Sequence, residues 1–152
     1  MQRLLLLLLV YLVFGSAQAL PPEWTGAAAM TRTVRVKVDN VTSARGTIWV
    51  GVYESPDDFL DREKARLVAL RVNTTGSAMI DISGMVVGKE YALGLFHDVN
   101  DNGEFDTNWL GLPAEPWGFS GRLRSLFRLP RFQEVAFRVE AGSAGQVVRL
   151  RQ

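Results

Sequence analysis

Apolar and polar residues alternate along most of the chain after residue 32, a period of two that is typical of β-strands with one buried face. All of the predicted strands show this alternation, and they lie at residues 33–38, 47–53, 66–72, 78–82, 91–96, 134–140 and 146–151. No long helical segments alternate with these strands, so a parallel α/β sheet is not expected. The pattern predicts one all-β domain, an antiparallel β-sandwich of about seven strands with one short helix.

The connections between the strands predict local structure. A polar turn ending at Gly46 joins the first two predicted strands, and two glycines within residues 142–145 separate the last two. We expect a β-hairpin at each of these turns. Ser55 can cap a helix, Pro56 suits its first turn, and the aspartates that follow favour its positive end. The short helix is therefore expected to begin after Ser55 and to end before Arg66.

The N-terminus has the parts of a secretory signal peptide. Arg3 is followed by an apolar run over residues 4–14, and small residues up to Ala19 suit cleavage there. The run is shorter than the roughly 20 residues that a membrane span needs. We expect a signal peptide at residues 1–19, a flexible N-terminus at residues 20–32 and the β-sandwich domain at residues 33–152. The protein would then be exported, to the periplasm or to the extracellular space.

Composition excludes several classes of function. The chain has 17 basic and 16 acidic residues, and removal of Arg3 with the signal peptide balances them. A neutral domain lacks the positive surface of a general nucleic-acid binder. The absence of cysteine excludes thiol nucleophiles, thiolate metal sites and disulfides. Glycosylation sequons begin at Asn40 and Asn73, and they matter only in a eukaryotic source.

The most polar part of the chain follows the fifth predicted strand and has the pattern D-x-N-x-N-G. Alternate residues of a tight loop point their oxygens inward, which suits calcium, and Gly103 would supply the positive φ of the turn. The candidate ligands are Asp98, Asn100, Asn102, the carbonyl of Glu104 and the carboxylate of Asp106. Calcium is therefore a possible cofactor.

The calcium pattern is incomplete. Trp109 stands where an EF-hand loop has its bidentate glutamate, so Asp101, Asp106 or Glu115 would have to substitute. Asp, Asn and Gly also build turns without any metal. In that alternative the loop satisfies its own polar groups, and a nearby arginine, Arg122 or Arg124, offsets the crowded carboxylates.

His97 is the single histidine of the chain. Zinc at this residue would need carboxylates for its other ligands, which is unusual. A hydrolase is a second alternative, with no G-x-S-x-G motif to support it; its candidate groups are His97 with Asp98, Asp106 or Glu115 and a serine, Ser120 or Ser125. A histidine at a strand end that hydrogen-bonds to loop backbone is the simpler interpretation, and we do not expect an enzyme.

The segment after the polar loop is stiff and aromatic. Exposed Trp109, Trp117 and Phe119 beside Glu115 would form a platform for a sugar ring or a peptide. The alternative is that these rings pack against one another beneath the loop and form a small core of its own. The partner could be a protein, a peptide or a carbohydrate.

The basic segment that begins at Arg122 and ends at Phe132 has apolar residues at helical spacing, which could lie on an anionic membrane. However, Pro130 ends any helix there, and the segment is short. We expect its apolar side to pack on the sandwich and its arginines to pair with the acidic residues, without membrane contact.

The long polar and aromatic run resembles a known family. HDVNDNGEFDTNWLGLPAEPWGFS and PRFQEVAF resemble the HDxNxNGxxDxNxxGxPxEPYGFS and PxFxxAxF runs of the bacterial exported family catalogued as domain of unknown function 2141. The resemblance extends through residues 46–60 and 88–96. Trp117 replaces a tyrosine of the family, and residues 122–131 are more basic than its Gly/Asn-rich segment. The resemblance implies export and a sandwich fold, and it implies no activity.

These observations favour an exported binding module in which the 98–106 loop takes up calcium and residues 109–119 form the adjoining contact surface. The two alternatives are the hydrolase that uses His97 and a structural envelope protein with a self-satisfied loop.

Overall fold

The computed structural model describes residues 28–123, 128–142 and 144–152, so the predicted signal peptide, Arg124 and Ser125 lie outside the described residues. Strands and one very short helix follow one another in this part of the chain. They are β1 (Thr31–Val41), β2 (Thr47–Tyr53), β3 (Arg66–Arg71), β4 (Gly76–Val86), β5 (Glu90–Asp98), β6 (Trp117–Phe119), α1 (Phe132–Val135), β7 (Phe137–Arg138) and β8 (Gln146–Arg149). No helix within these ranges is long and apolar enough to cross a membrane.

The strands form two sheets, which confirms the predicted all-β sandwich. One sheet has three strands in the order β4-β1-β8, and the other has five, ordered β3-β2-β5-β6 with β7 paired to β5. β1 and β8 run parallel, and the other described pairs are antiparallel.

The apolar face of each alternating strand forms the core between the sheets. Alternate residues of a strand point to opposite faces, so one face of β1, β2 and β5 is removed from water. The buried side chains of these strands include Val34, Val36 and Val38, then Ile48, Val50 and Val52, and then Tyr91, Leu93 and Leu95. Hydrophobic periodicity therefore identified the core correctly.

Neither predicted hairpin forms. β1 and β2 belong to different sheets, and β8 pairs with β1 rather than with β7. Gly145 adopts a φ of +100° and approaches β1 so closely that a Cβ atom would lie 2.3 Å from the carbonyl oxygen of Arg35. This glycine marks a crossing between strands, because only a residue without a side chain fits there.

The predicted helix after Ser55 is wrong, because this segment is a series of turns. Ser55 does cap the first turn, since its Oγ accepts the backbone N–H of Asp58 at 3.3 Å. Leu60 then adopts a φ of +70°, a conformation that an α-helix excludes. The segment therefore cannot continue as a helix toward Arg66.

The predicted strand at residues 134–140 is also largely wrong. The four-residue helix α1 occupies its start, and β7 covers two of its residues. Both buried residues of α1, Phe132 and Val135, lie on one side of the single turn. One turn is too short to show a helical period, so its apolar residues resemble an alternating strand.

A second apolar cluster covers one end of the outer face of the five-stranded sheet. Tyr53 and Ala92 from the sheet pack there with Phe132 and Val135 of α1. Leu123 joins the cluster, as expected for the basic segment. The arginines of the basic segment were expected to pair with the acidic loop. Arg128, which belongs to this segment, instead pairs with Glu134 at 2.6 Å. The other end of the same face is left for the acidic loop and for the groove described below.

Candidate functional site

His97 and Asp98, at the end of β5, point to opposite faces of the sheet. His97 lies opposite Ile48 and is 0 % exposed. Its Nε2 lies 2.7 Å from the carbonyl oxygen of Arg45 and therefore donates to it. Nδ1 has no hydrogen-bond partner among the described residues. His97 thus holds loop backbone from the core side, as the simpler interpretation expected.

Asp98 organises the acidic loop, residues 98–106. Its Oδ1 accepts the backbone N–H of Asn102 at 3.1 Å, and its Oδ2 accepts that of Gly103 at 2.8 Å. The indole Nε1 of Trp49 also donates to Oδ2, at 3.3 Å. Gly103 has the predicted positive φ, +78°. Asp98 is 1 % exposed, so these donors take the place of water around a buried carboxylate.

Asp106 closes the other side of the acidic loop. The side-chain amides of Asn100 and Asn102 both donate to its carboxylate, at 2.7 Å and 3.1 Å. The amides are oriented because Asn100 Oδ1 accepts the N–H of Asn102 and Asn102 Oδ1 accepts the N–H of Glu104. Four of the predicted ligands therefore converge, and they bind one another.

The positive charge beside the loop comes from β3. Arg71 forms an ion pair with Asp101, whose other carboxylate oxygen accepts the hydroxyl of Thr47 at 2.8 Å. Arg122, one of the two arginines expected here, forms no ion pair with another residue in the described ranges, and Arg124 lies outside them. Sequence reasoning missed Arg71 because strand pairing alone brings it to the loop.

Glu115 joins the aromatic segment to the acidic loop. It is 6 % exposed, and its carboxylate accepts the backbone N–H groups of Val99 at 2.9 Å and Asp106 at 3.3 Å. Burial raises the pKa of Glu115, the charges of Asp98 and Asp106 add to the rise, and the two backbone donors oppose it. Glu115 therefore stabilises the backbone of the acidic loop from the buried side, at Val99 and Asp106.

The loop carboxylates are satisfied within the protein. Among the described residues, no three His, Asp or Glu side chains are arranged to hold a metal ion. Each carboxylate named above accepts hydrogen bonds from loop or strand groups, which offsets the cost of its burial. These contacts favour the self-satisfied loop, and calcium binding stays a prediction.

A cavity of about 350 Å³ opens on the outer face of the five-stranded sheet, between the acidic loop and the second apolar cluster. We call it the aromatic groove. Gly51 and Gly94 lie opposite each other in its floor. Its aromatic walls are Trp49, Tyr53, Phe96, Phe105, Trp117 and Phe119. Directly paired residues of neighbouring strands share a face, so β2, β5 and β6 bring most of these rings together.

The two glycines make room for the rings. A Cβ at Gly51 would lie 3.0 Å from the Tyr53 hydroxyl oxygen, and one at Gly94 would lie 3.3 Å from the Phe119 ring. Side chains here would push the rings away from the sheet. The glycines therefore let Tyr53 and Phe119 lie close to the backbone.

The predicted contact residues separate into two groups. Trp117 and Phe119 line the aromatic groove, whereas Trp109 is 91 % exposed and lies outside it, and Glu115 is buried under the loop. Sequence reasoning missed Trp49. The available signal was the aromatic second face of β2, where a solvent-facing strand surface is expected to be polar.

One charged side chain lines the groove among the described residues. The guanidinium carbon of Arg62, in the turns after Ser55, lies 5.9 Å from the ring centroids of both Trp49 and Phe96. This is the distance of a cation–π contact. Arg62 therefore places a positive charge at the edge of an otherwise apolar cavity.

A family model described as "Uncharacterized protein conserved in bacteria (DUF2141)" matches residues 36–146. Comparison with curated proteins and with solved structures gave no match. The matched range includes the acidic loop and every residue that lines the aromatic groove, and it confirms the resemblance found in the sequence.

Proposed function

The chain belongs to the DUF2141 family of bacterial proteins, a family described as uncharacterised, and we propose that it is a non-enzymatic binding module whose aromatic groove takes up an apolar small molecule. The observation that carries this proposal is the glycine-floored, aromatic-walled cavity of about 350 Å³. Its volume falls within the range of about 300–1,000 Å³ that is usual for small-molecule sites.

The lining favours an apolar ligand over a sugar. The groove walls are rings and aliphatic side chains, and exposed apolar surface of this kind gains about 25 cal/mol per Å² when a ligand covers it. A sugar needs several convergent hydrogen-bonding groups. The polar side chains of the acidic loop bind one another instead of pointing into the groove.

The arrangement around His97 supports a binding module rather than a hydrolase. The imidazole faces the core at 0 % exposure, on the side of the sheet opposite the groove. Ser120 is likewise buried, and its hydroxyl donates to the carbonyl of Val135 at 2.7 Å. A general base has to reach the proton that it removes, and neither His97 nor Ser120 lines the groove.

A titration with octan-1-ol tests the proposal, because this probe has an apolar chain and no charge. Trp117→Leu removes a groove wall, and Trp109→Leu makes the same substitution outside the groove. We expect the first variant to bind octan-1-ol several-fold more weakly than wild type and the second to bind it equally well, as followed by NMR. Equal losses in both variants, or no binding by wild type, would refute the proposal.

Calcium binding by the acidic loop is a second candidate, favoured by the convergence of Asn100, Asn102 and Asp106 around one turn. The test is the thermal midpoint in EDTA and in millimolar calcium. Calcium at about 100 times its dissociation constant would add about 2.7 kcal/mol, which is several degrees. A shift in wild type that Asp106→Asn abolishes would support the site, and an unchanged wild-type midpoint would leave the loop as a purely structural element.

Export is part of the proposal, because residues 1–19 have the composition of a signal peptide. The mass of the protein recovered from a bacterial periplasm tests it. Cleavage after Ala19 is the expected result, and an uncleaved chain in the cytoplasm would contradict it.

A further inference from the structure

We infer that the aromatic groove selects apolar ligands that end in a carboxylate and that Arg62 is the residue that binds this end group. The inference rests on the proposed function, since it names the ligand class for the same groove. Its basis is the position of one cation at the edge of a cavity whose other lining residues are uncharged.

Arg62 forms no ion pair or side-chain hydrogen bond with another residue that the structure describes, whereas the neighbouring cation Lys64 forms ion pairs. In the same turns, Lys64 contacts Asp58 at 3.4 Å and Asp61 at 3.6 Å. Asp61 also accepts the backbone N–H of Glu63 at 3.1 Å. The carboxylate of Asp61, which precedes Arg62, is therefore engaged with other groups, and the Arg62 guanidinium keeps donors for a ligand.

The rings beneath Arg62 fix the place of that cation. Its guanidinium carbon is equidistant, at 5.9 Å, from the centroids of Trp49 and Phe96, which face each other across β2 and β5. Contact with two aromatic faces keeps the guanidinium at the groove while its N–H groups remain able to donate.

A carboxylate suits this site in both charge and shape. A guanidinium presents its N–H donors in a planar fork that matches the two oxygens of a carboxylate. The remainder of the ligand would lie over Gly51 and Gly94, where the walls are mostly apolar and the Tyr53 hydroxyl is the polar group beside Gly51. A ligand with a cationic end would be repelled by Arg62 and would lose the same hydrogen bonds.

The test compares octanoate, octan-1-ol and octyltrimethylammonium, three probes with the same chain and different end groups, by NMR titration of the purified protein at pH 7. Arg62→Gln removes the cation. Arg66→Gln is the matched control, because it removes one positive charge from a guanidinium that donates to the Ser83 carbonyl and does not line the groove.

We expect wild type to bind octanoate about tenfold more tightly than octan-1-ol, the effect of one charge-assisted contact, and to bind the cationic probe most weakly. Arg62→Gln should abolish the preference for octanoate over octan-1-ol by weakening the binding of octanoate alone. Arg66→Gln should keep this preference. Equal affinities of wild type for octanoate and octan-1-ol would overturn the inference while leaving the groove a binding site. A preference that survives in Arg62→Gln would also overturn it. Failure of all three probes to bind would instead refute the proposed function.

Discussion

Asp98 connects the acidic loop to the sheet through a single buried carboxylate. Two loop N–H groups and the Trp49 indole donate to it. Replacing Asp98 with asparagine exchanges one acceptor oxygen for an amide NH2 group, so a buried N–H donor then faces another donor. This is costly because water cannot replace the lost hydrogen bond.

We therefore predict that Asp98→Asn lowers the free energy of unfolding by about 1–3 kcal/mol, as measured by urea denaturation. Asp101→Asn is the matched control. It loses an ion pair with the exposed Arg71, keeps a residue type that tolerates its φ of +59°, and should cost less than about 1 kcal/mol. Equal losses in the two variants would contradict this account of the loop.

His97 is expected to behave as a core residue. His97→Ala removes a ring that is 0 % exposed and leaves the Arg45 carbonyl without its donor, so we predict a loss of about 2–4 kcal/mol in unfolding free energy. The same variant should bind octan-1-ol as wild type does, because the ring faces away from the groove. A stable variant that no longer binds the probe would place His97 at the ligand.

At the scale of elements, most of the strands were predictable and their partners were not. β2 has the predicted bounds, and β1 and β5 extend the predicted segments by a few residues at each end. Alternation depends on burial of one face, which a sequence displays directly. Pairing depends on long-range crossings, such as the one at Gly145 beside β1, which no local pattern displays. The prediction of a helix after Ser55 failed for a local reason, because Leu60 adopts a left-handed φ.

The α1 segment gives a prediction about pH. Two hydrogen bonds from Arg128, with help from the Arg131 N–H, lower the pKa of Glu134 to about 2. Between this value and the ordinary pKa of 4.5, the unfolded chain binds more protons than the folded one. The stability from this carboxylate is therefore complete above pH 4.5 and is lost as the pH falls toward 2.

Thermal midpoints of wild type and Glu134→Gln between pH 6 and pH 2 test this prediction, because their difference isolates Glu134 from the other carboxylates. Wild type should be the more stable protein at pH 6, and the difference should shrink toward pH 2. A difference that stays constant over this range would show that the charge of Glu134 contributes nothing.

At the scale of the whole molecule, the aromatic groove is the space that two separate coverings leave on one sheet face. The second apolar cluster covers one end of that face, and the acidic loop covers the other. The residues that line the aromatic groove come from β2, β3, β5, β6, the turns after Ser55 and two loops. The sequence singled out Trp117 and Phe119, which line the groove, from the aromatic composition of their segment. It did not single out Trp49 or Arg62, whose relation to them depends on strand pairing and on turns misread as a helix.

The most direct test of the groove as a binding site is a map of amide and indole NMR shifts of wild type during titration with octan-1-ol. Trp49 and Trp117 line the groove, and Trp109 stands 91 % exposed outside it. The account predicts saturable shifts of the Trp49 and Trp117 indole N–H signals and of Gly94, with the Trp109 signal unchanged. Shifts centred on Trp109, or no saturable shift at the groove, would contradict it.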